Sequence, residues 1–206
     1  MRTSGRDRCR FRVFALCFVL ILLSASVFCA SGLEAHYYVF DNATGYHALV
    51  ETEDTDRYEF VQPGLLGEKV PLEAWNISLF YKNGTEAPFE DKGRHIEFEK
   101  GNYTTGYDAE FKNKDFQVVY NRPYNSTLYL ADGYDVRNPL LGMVSQGGEV
   151  SENDGTISVS WTKKVFCECR FYDGFQEEIL IIFGTFWIAL LAVFLIPYLM
   201  MRQKKK

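Results

Sequence analysis

The sequence predicts an all-β, antiparallel sandwich-like outer domain followed by one transmembrane α-helix. Three observations carry this prediction. Between positions 33 and 177, short apolar or alternating segments are separated by turn residues. No stretch of a dozen residues there keeps a 3.6-residue period without a Gly or Pro. Residues 179–201 then run for 23 positions without a charge, about 34 Å of helix against a hydrocarbon core of about 30 Å.

The elements follow in order. Arg2, Arg6, Arg8, Arg10 and Arg12 precede an apolar run at 13–30 broken only by Ser24 and Ser26. This is the layout of a secretory signal peptide over residues 1–32. Small residues at Ala30 and Gly32 favour cleavage before Leu33; cleavage before Ala30 and an uncleaved signal anchor are the alternatives. The outer domain occupies 33–177. Segments 35–40 and 46–51 flank a turn, and 76–81 runs into Lys82-Asn83-Gly84-Thr85, where the Asn-Gly pair cues a hairpin. Ile96 and Phe98 share a face of the next strand, and 116–120 and 127–130 form short strands. Asn153-Asp154-Gly155 turns the chain into 156–161, with Ile157, Val159 and Trp161 inward and Ser158 and Ser160 outward. A last strand spans 162–172. Seven to nine strands result, the pattern of a sandwich. The transmembrane helix covers 178–201 and a basic cytoplasmic tail covers 202–206. Acidic residues before the helix and cations after it place the C-terminus in the cytoplasm and the domain outside. Thr185 and Ala189, small and four apart, would permit a close helix contact.

Charge and cysteine content narrow the function. The outer domain holds 13 Lys/Arg and 25 Asp/Glu, a net of −12, which argues against nucleic acid or anionic lipid as a partner. Only Cys167 and Cys169 remain after signal removal before Leu33, too few for a disulfide scaffold. Alternation puts both sulfurs on one strand face. Inert packed thiols, a local disulfide, an intermolecular bond, or a redox or soft-metal site are the readings of this pair. Two thiolates cannot complete a tetrahedral metal site, and the spacing of His36, His47 and His95 brings none of them near. No cofactor is expected.

Asn42, Asn76, Asn83, Asn102 and Asn125 all begin Asn-x-Ser/Thr sequons. Chance would produce about one from the nine Asn of this region, so glycosylation is expected, although turn preference accounts for part of the excess. Twelve of 13 Tyr fall in the domain, either as strand formers or as a carbohydrate- or protein-contact surface. Tyr103, Tyr107, Tyr120, Tyr124, Tyr129 and Tyr134 sit in a Gly/Asn-rich stretch that reads as loops. No nucleophile elbow, zinc-protease, phosphate-loop, dinucleotide or Cys-x-x-Cys motif occurs. The pair Glu97 and Glu99 could be drawn as a glycosidase dyad, but any acidic β domain offers such pairs. The sequence points away from an enzyme.

Arg202 and Lys204 resemble an imperfect dilysine retrieval signal, which makes the endoplasmic reticulum of a eukaryote the alternative to the cell membrane. The segment Arg137-Asn-Pro-Leu-Leu-Gly142, then Trp161, Arg170-Phe-Tyr172 and Gln176-Glu177, resembles an uncharacterised archaeal family. That resemblance implies a signal, a β-rich outer domain, a single C-terminal helix and a short basic tail, with no activity and no site residue. The resulting expectation is a membrane-anchored, N-glycosylated cell-envelope protein that binds a protein or glycan partner or serves structurally. The alternatives are a membrane-tethered redox or metal-handling protein using Cys167 and Cys169, and an accessory subunit of a membrane complex.

Overall fold

The computed structural model describes residues 32–64 and 66–203. The expected signal up to Ser31 and the last three lysines lie outside the described residues. Among the described residues thirteen strands precede one helix: β1 Leu33–Val39, β2 Gly45–Glu59, β3 Val61–Pro63, β4 Lys69–Pro71, β5 Ala74–Tyr81, β6 Glu90–Asp91, β7 His95–Glu110, β8 Asp115–Tyr129, β9 Tyr134–Asp135, β10 Met143–Val144, β11 Gly148–Asn153, β12 Thr156–Arg170, β13 Tyr172–Asp173 and α1 Gly174–Gln203. The protein is therefore all-β with one C-terminal apolar helix.

Nine strands form one sheet in the order β10-β12-β8-β1-β2-β7-β5, with β11 on β12 and β6 on β7. All of its pairings are antiparallel except β1 with β8. Short hairpins β3–β4 and β9–β13 complete the domain. The segments 116–120 and 127–130 are two parts of the single strand β8. The Asp154-Gly155 turn has both residues at positive φ, 52° and 85°, the condition for a type I′ hairpin matching the twist of β11 and β12.

The core lies on one face of this sheet. In register, Trp161, Ser126, Ala35, Val50, Thr105 and Leu79 form a row across six strands. Val159, Leu128, Tyr37, Ala48 and Tyr107 form the next. No member of either row is more than 3% exposed. The opposite face carries the alternating residues Tyr38, His47 and Asp108, as a period of two requires.

Tyrosine dominates this core. Tyr37, Tyr46, Tyr103, Tyr107 and Tyr124 are buried, on β1, β2, β7 and β8 rather than on loops. The Gly/Asn-rich stretch from 101 is strand because its glycines fit the packing: a Cβ at Gly106 would fall 2.5 Å from Ser78 Oγ. Buried hydroxyls need partners, and they find them. Tyr120 Oη lies 2.8 Å from both Tyr37 Oη and Ser126 Oγ, and Tyr124 donates to the Glu51 carbonyl at 2.7 Å. Ser158 departs from the outward position that alternation gives it. It is 8% exposed and shares a 2.9 Å hydrogen bond with Ser151, because β11 covers that side of β12.

Four strands of 15 or 16 residues, β2, β7, β8 and β12, cannot stay straight over a domain of this size, and bulges bend the sheet. The registers slip at Thr52/Thr55 in β2, at Trp75/Ser78 in β5 and at Trp161/Lys164 in β12. Each of these three slips holds one non-Gly residue in the left-handed region, Asp54 at 52°, Asn76 at 50° and Lys163 at 53°, while further shifts at Thr55/Arg57 and Lys164/Phe166 hold none.

Replacing Tyr120 by Phe removes the hydroxyl shared with Tyr37 and Ser126 and leaves buried oxygens without a partner. Urea denaturation is expected to show a loss of about 1–3 kcal/mol.

Candidate membrane-proximal site

The junction between sheet and helix concentrates the named side-chain contacts. Asp173 and Gln176 form a reciprocal cap: Gln176 N–H donates to Asp173 Oδ1 at 2.8 Å, and Asp173 N–H donates to Gln176 Oε1 at 3.2 Å. An acid at N-cap and an amide three residues later satisfy two helix-start donors at once. Asp173 also ends β13, so strand and helix meet without a linker. The helix thus begins four residues before the boundary expected at 178.

Neighbouring segments fasten this start. Lys114 Nζ binds Asp173 Oδ2 and donates to Gln176 Oε1 at 2.9 Å. The Lys114 ammonium, with the Gln176 N–H second, holds the Asp173 carboxyl below its ordinary value. Lys114 also stands 5.5 Å from the Tyr134 ring centroid. Tyr172 Oη accepts from the Asn138 N–H at 3.0 Å, and Asn138 Nδ2 donates to Glu177 Oε1 at 3.4 Å. The Asn138 carbonyl takes the N–H groups of Leu141 and Gly142 at 3.1 and 2.8 Å. Gly142 is required by this turn, since a Cβ there would lie 2.3 Å from the Val136 carbonyl oxygen. Arg137 ties the turn outward through Asp135 and Glu152.

The helix itself is one long apolar rod. Within Gly174–Tyr198 an 18-residue stretch reaches a mean hydropathy of 2.9, and none of that stretch is buried against the domain. Thr185 Oγ1 donates to the Ile181 and Ile182 carbonyls at 2.9 Å, so its hydroxyl is satisfied within its own helix.

Cys167 and Cys169 lie in the core on β12, opposite Val118 and Phe116, and both are free and 0% exposed. Burial pushes the Cys167 thiol up to about 11, against a hydrogen bond from Ser126 that lowers it, and the Cys169 thiol up to about 12. Such thiols are poor nucleophiles. His36 stacks on Tyr129 at 6.2 Å, His47 Nδ1 lies 2.7 Å from Asp108 Oδ1, and His95 Nε2 lies 3.1 Å from Glu97 Oε1. All three alternate away from the core face that carries the sulfurs. Among the described residues, no group of three His, Cys, Asp or Glu side chains could hold a metal ion.

The sequon asparagines divide into two structural kinds. Asn42 and Asn83 make Asx turns, each Oδ1 accepting both the N–H and the hydroxyl of the Thr two residues on, at 2.7–3.1 Å. The other three serve the bulges. Asn102 Oδ1 accepts from Asp54 N–H at 2.9 Å, and Asn125 Oδ1 accepts from Lys163 N–H at 3.1 Å. Asn76 is itself a bulge residue, and its Nδ2 donates to Asp108 Oδ2 at 2.6 Å. Sequence reading missed this role because the bulges join strands far apart in the chain.

Two hollows complete the surface. A cleft of about 1060 Å3 is walled by Leu72, Trp75, Phe111 and Phe166, with Glu73, Asp115, Gln117 and Glu168 as polar groups. Gln117 Nε2 donates to Glu168 Oε1 at 3.0 Å, while Asp115 Oδ1 is buried without a partner. A smaller cavity of about 390 Å3 lies where Tyr58, Tyr107, Tyr120 and Tyr124 approach one another. Glu97 and Glu99 are exposed strand residues outside both hollows.

Both thiols ionise near pH 9 when unfolded and only at about 11 and 12 when folded. Their contribution is therefore complete below pH 9 and is lost as the pH rises toward 12. Denaturant midpoints measured from pH 8 upward are expected to fall in that window, and Cys167→Ala with Cys169→Ala is expected to delay the fall. Native thiols are expected to resist alkylation at pH 8 and to react after unfolding.

No curated protein matches the chain. A family of unknown function, DUF5803, matches residues 32–204, which include the whole β domain, the capped junction and the helix. The chain belongs to this family of unknown function.

Proposed function

We propose that this is a membrane-anchored, N-glycosylated cell-envelope protein, with its β domain outside the cell, its C-terminus in the cytoplasm, and a binding or structural role rather than a catalytic one. The observation that supports it best is the junction. A capped helix that issues directly from a strand, with Lys114 and Asn138 fastening it, suits a domain held at a fixed height on a bilayer. The 23-residue uncharged run from Ile179 is long enough to cross one.

The cleft supports the binding reading. Trp75 and Phe166, 39% and 38% exposed, offer aromatic surface beside carboxylate and amide acceptors. A donor-rich partner such as a glycan fits that chemistry better than an anionic one. The redox or metal-handling alternative draws no support from two core thiols on the face opposite every histidine. An accessory-subunit role is compatible with the same geometry, and co-purifying partners would favour it.

The sequons rank by exposure and hydrogen bonding. Asn42, Asn83 and Asn102 are exposed, whereas Asn125 is half-buried and Asn76 uses its amide nitrogen to hold Asp108. Intact masses from native membranes, with and without deglycosylation, are expected to fit a chain starting at Leu33 with glycan on the first three. Asn102→Asp keeps an acceptor for Asp54 N–H, so it should remove one glycan without loss of stability. An unmodified mass, or release of the protein from membranes by alkaline carbonate, would contradict the reading.

A further inference from the structure

We infer that the turn at residues 138–142 is an apolar foot that seats the domain in the outer face of the lipid bilayer, with Leu140 as its inserted side chain and Phe175, on the first turn of the helix, at the headgroup level above it. This rests on the membrane-anchor reading above and adds a second contact to it. Leu140 is 76% exposed and Phe175 is 69% exposed. In most domains such side chains would sit on a loop free to turn them away. Here the turn is held at both ends. Leu140 N–H donates to Asn138 Oδ1 at 3.1 Å and Gly142 N–H to the Asn138 carbonyl at 2.8 Å. Pro139 fixes its own φ, and the Val136 carbonyl leaves no room for a side chain at 142. The turn therefore presents Leu140 rather than tolerating it.

The helix supplies the depth. Glu177 and Glu178 are the last charges before the 23-residue uncharged run begins at Ile179, so the hydrocarbon boundary falls next to them. Asn138 Nδ2 reaches Glu177 Oε1 at 3.4 Å, which fixes the base of the turn at that boundary. Leu140 is two residues further on, and Phe175 lies on the helix's first turn. The surroundings make the contact apolar rather than electrostatic. Arg137 is engaged by Asp135 and Glu152 and Lys114 by Asp173, so this end offers no free cation to anionic headgroups among the residues that build it. Uncharged lipid is accordingly sufficient.

Nitroxide labels on the full chain in phosphatidylcholine bilayers test this, read against the unsubstituted chain as background. Leu140→Cys carries the test label, Ile188→Cys in mid-helix the lipid reference, and Lys82→Cys on the β5 turn the water reference. Collisions with oxygen report lipid and collisions with a water-soluble nickel complex report solvent. The Leu140 label is expected to exclude nickel several-fold better than the Lys82 label and to approach the Ile188 label. A Leu140 label as open to nickel as that at Lys82, with Ile188 still shielded, overturns the foot and leaves the anchor standing. Nickel access at Ile188 overturns the anchor reading and the foot together.

Discussion

Covering one face of one sheet is the constraint on which the rest of this structure depends. The long strands of the large sheet send their alternate residues to the same side, where two rows that start at β12 and run through β8, β1 and β2 to β5 or β7 are almost wholly buried. No helix packs over that face, because the only helix described is committed elsewhere. The sheet must therefore curve over that face with the help of short hairpins, and bulges at three sites bend it. Each bulge frees a backbone N–H from the ladder, and an unpaired donor is costly. Asn102 and Asn125 answer two of these donors, and Asn76 adopts the strained φ of the third site. The aromatic density of the core follows from the same geometry. A curved face without a covering layer is filled best by large rings, and tyrosine hydroxyls at their tips can bond to one another, as Tyr37, Tyr120 and Ser126 do.

The junction extends this order to the apolar helix. The β9–β13 pair places Tyr172 and Asp173 in a ladder immediately before the helix. Asp173 then caps the helix while holding Lys114, so one carboxylate belongs to the sheet, the cap and an ion pair. Exposed ion pairs contribute little singly. This one matters because it shares its atoms with a capping box and a strand end, which couples the tilt of the helix to the position of the sheet.

Much of this was legible in the sequence, and the remainder has identifiable causes. The all-β class followed from alternation at 156–161 and from the turn residues, and the helix followed from its uncharged run. The Asn-Gly and Asp-Gly turns were read from local chemistry, which is short-range. Strand length was not legible. Residues 101–110 contain two glycines and read as loop, yet they continue β7, since those glycines answer tertiary contacts with Tyr103 and Ser78. The parallel pairing of β1 with β8 joins residues 91 positions apart, such as Leu33 and Tyr124, and nothing local announces it. The sequon asparagines carried two messages at once. Their spacing speaks of glycans, while their role at bulges appears only when the partners Asp54 and Lys163 are brought beside them. Alternation put Cys167 and Cys169 on one strand face, but that this face is the core and which neighbours bury the thiols there were not legible.

The most direct test of this account is whether sheet and helix move as one body. Spin labels at Lys92 in the β6–β7 turn and Ile181 on the helix, in the full chain in bilayers, would report their separation by pulsed dipolar spectroscopy. A continuous, capped and fastened junction predicts a single narrow distance distribution that broadens when Lys114→Ala and Asn138→Ala are introduced together. A broad distribution in the unsubstituted junction would contradict the account, because it would mean that the helix pivots freely beneath the domain.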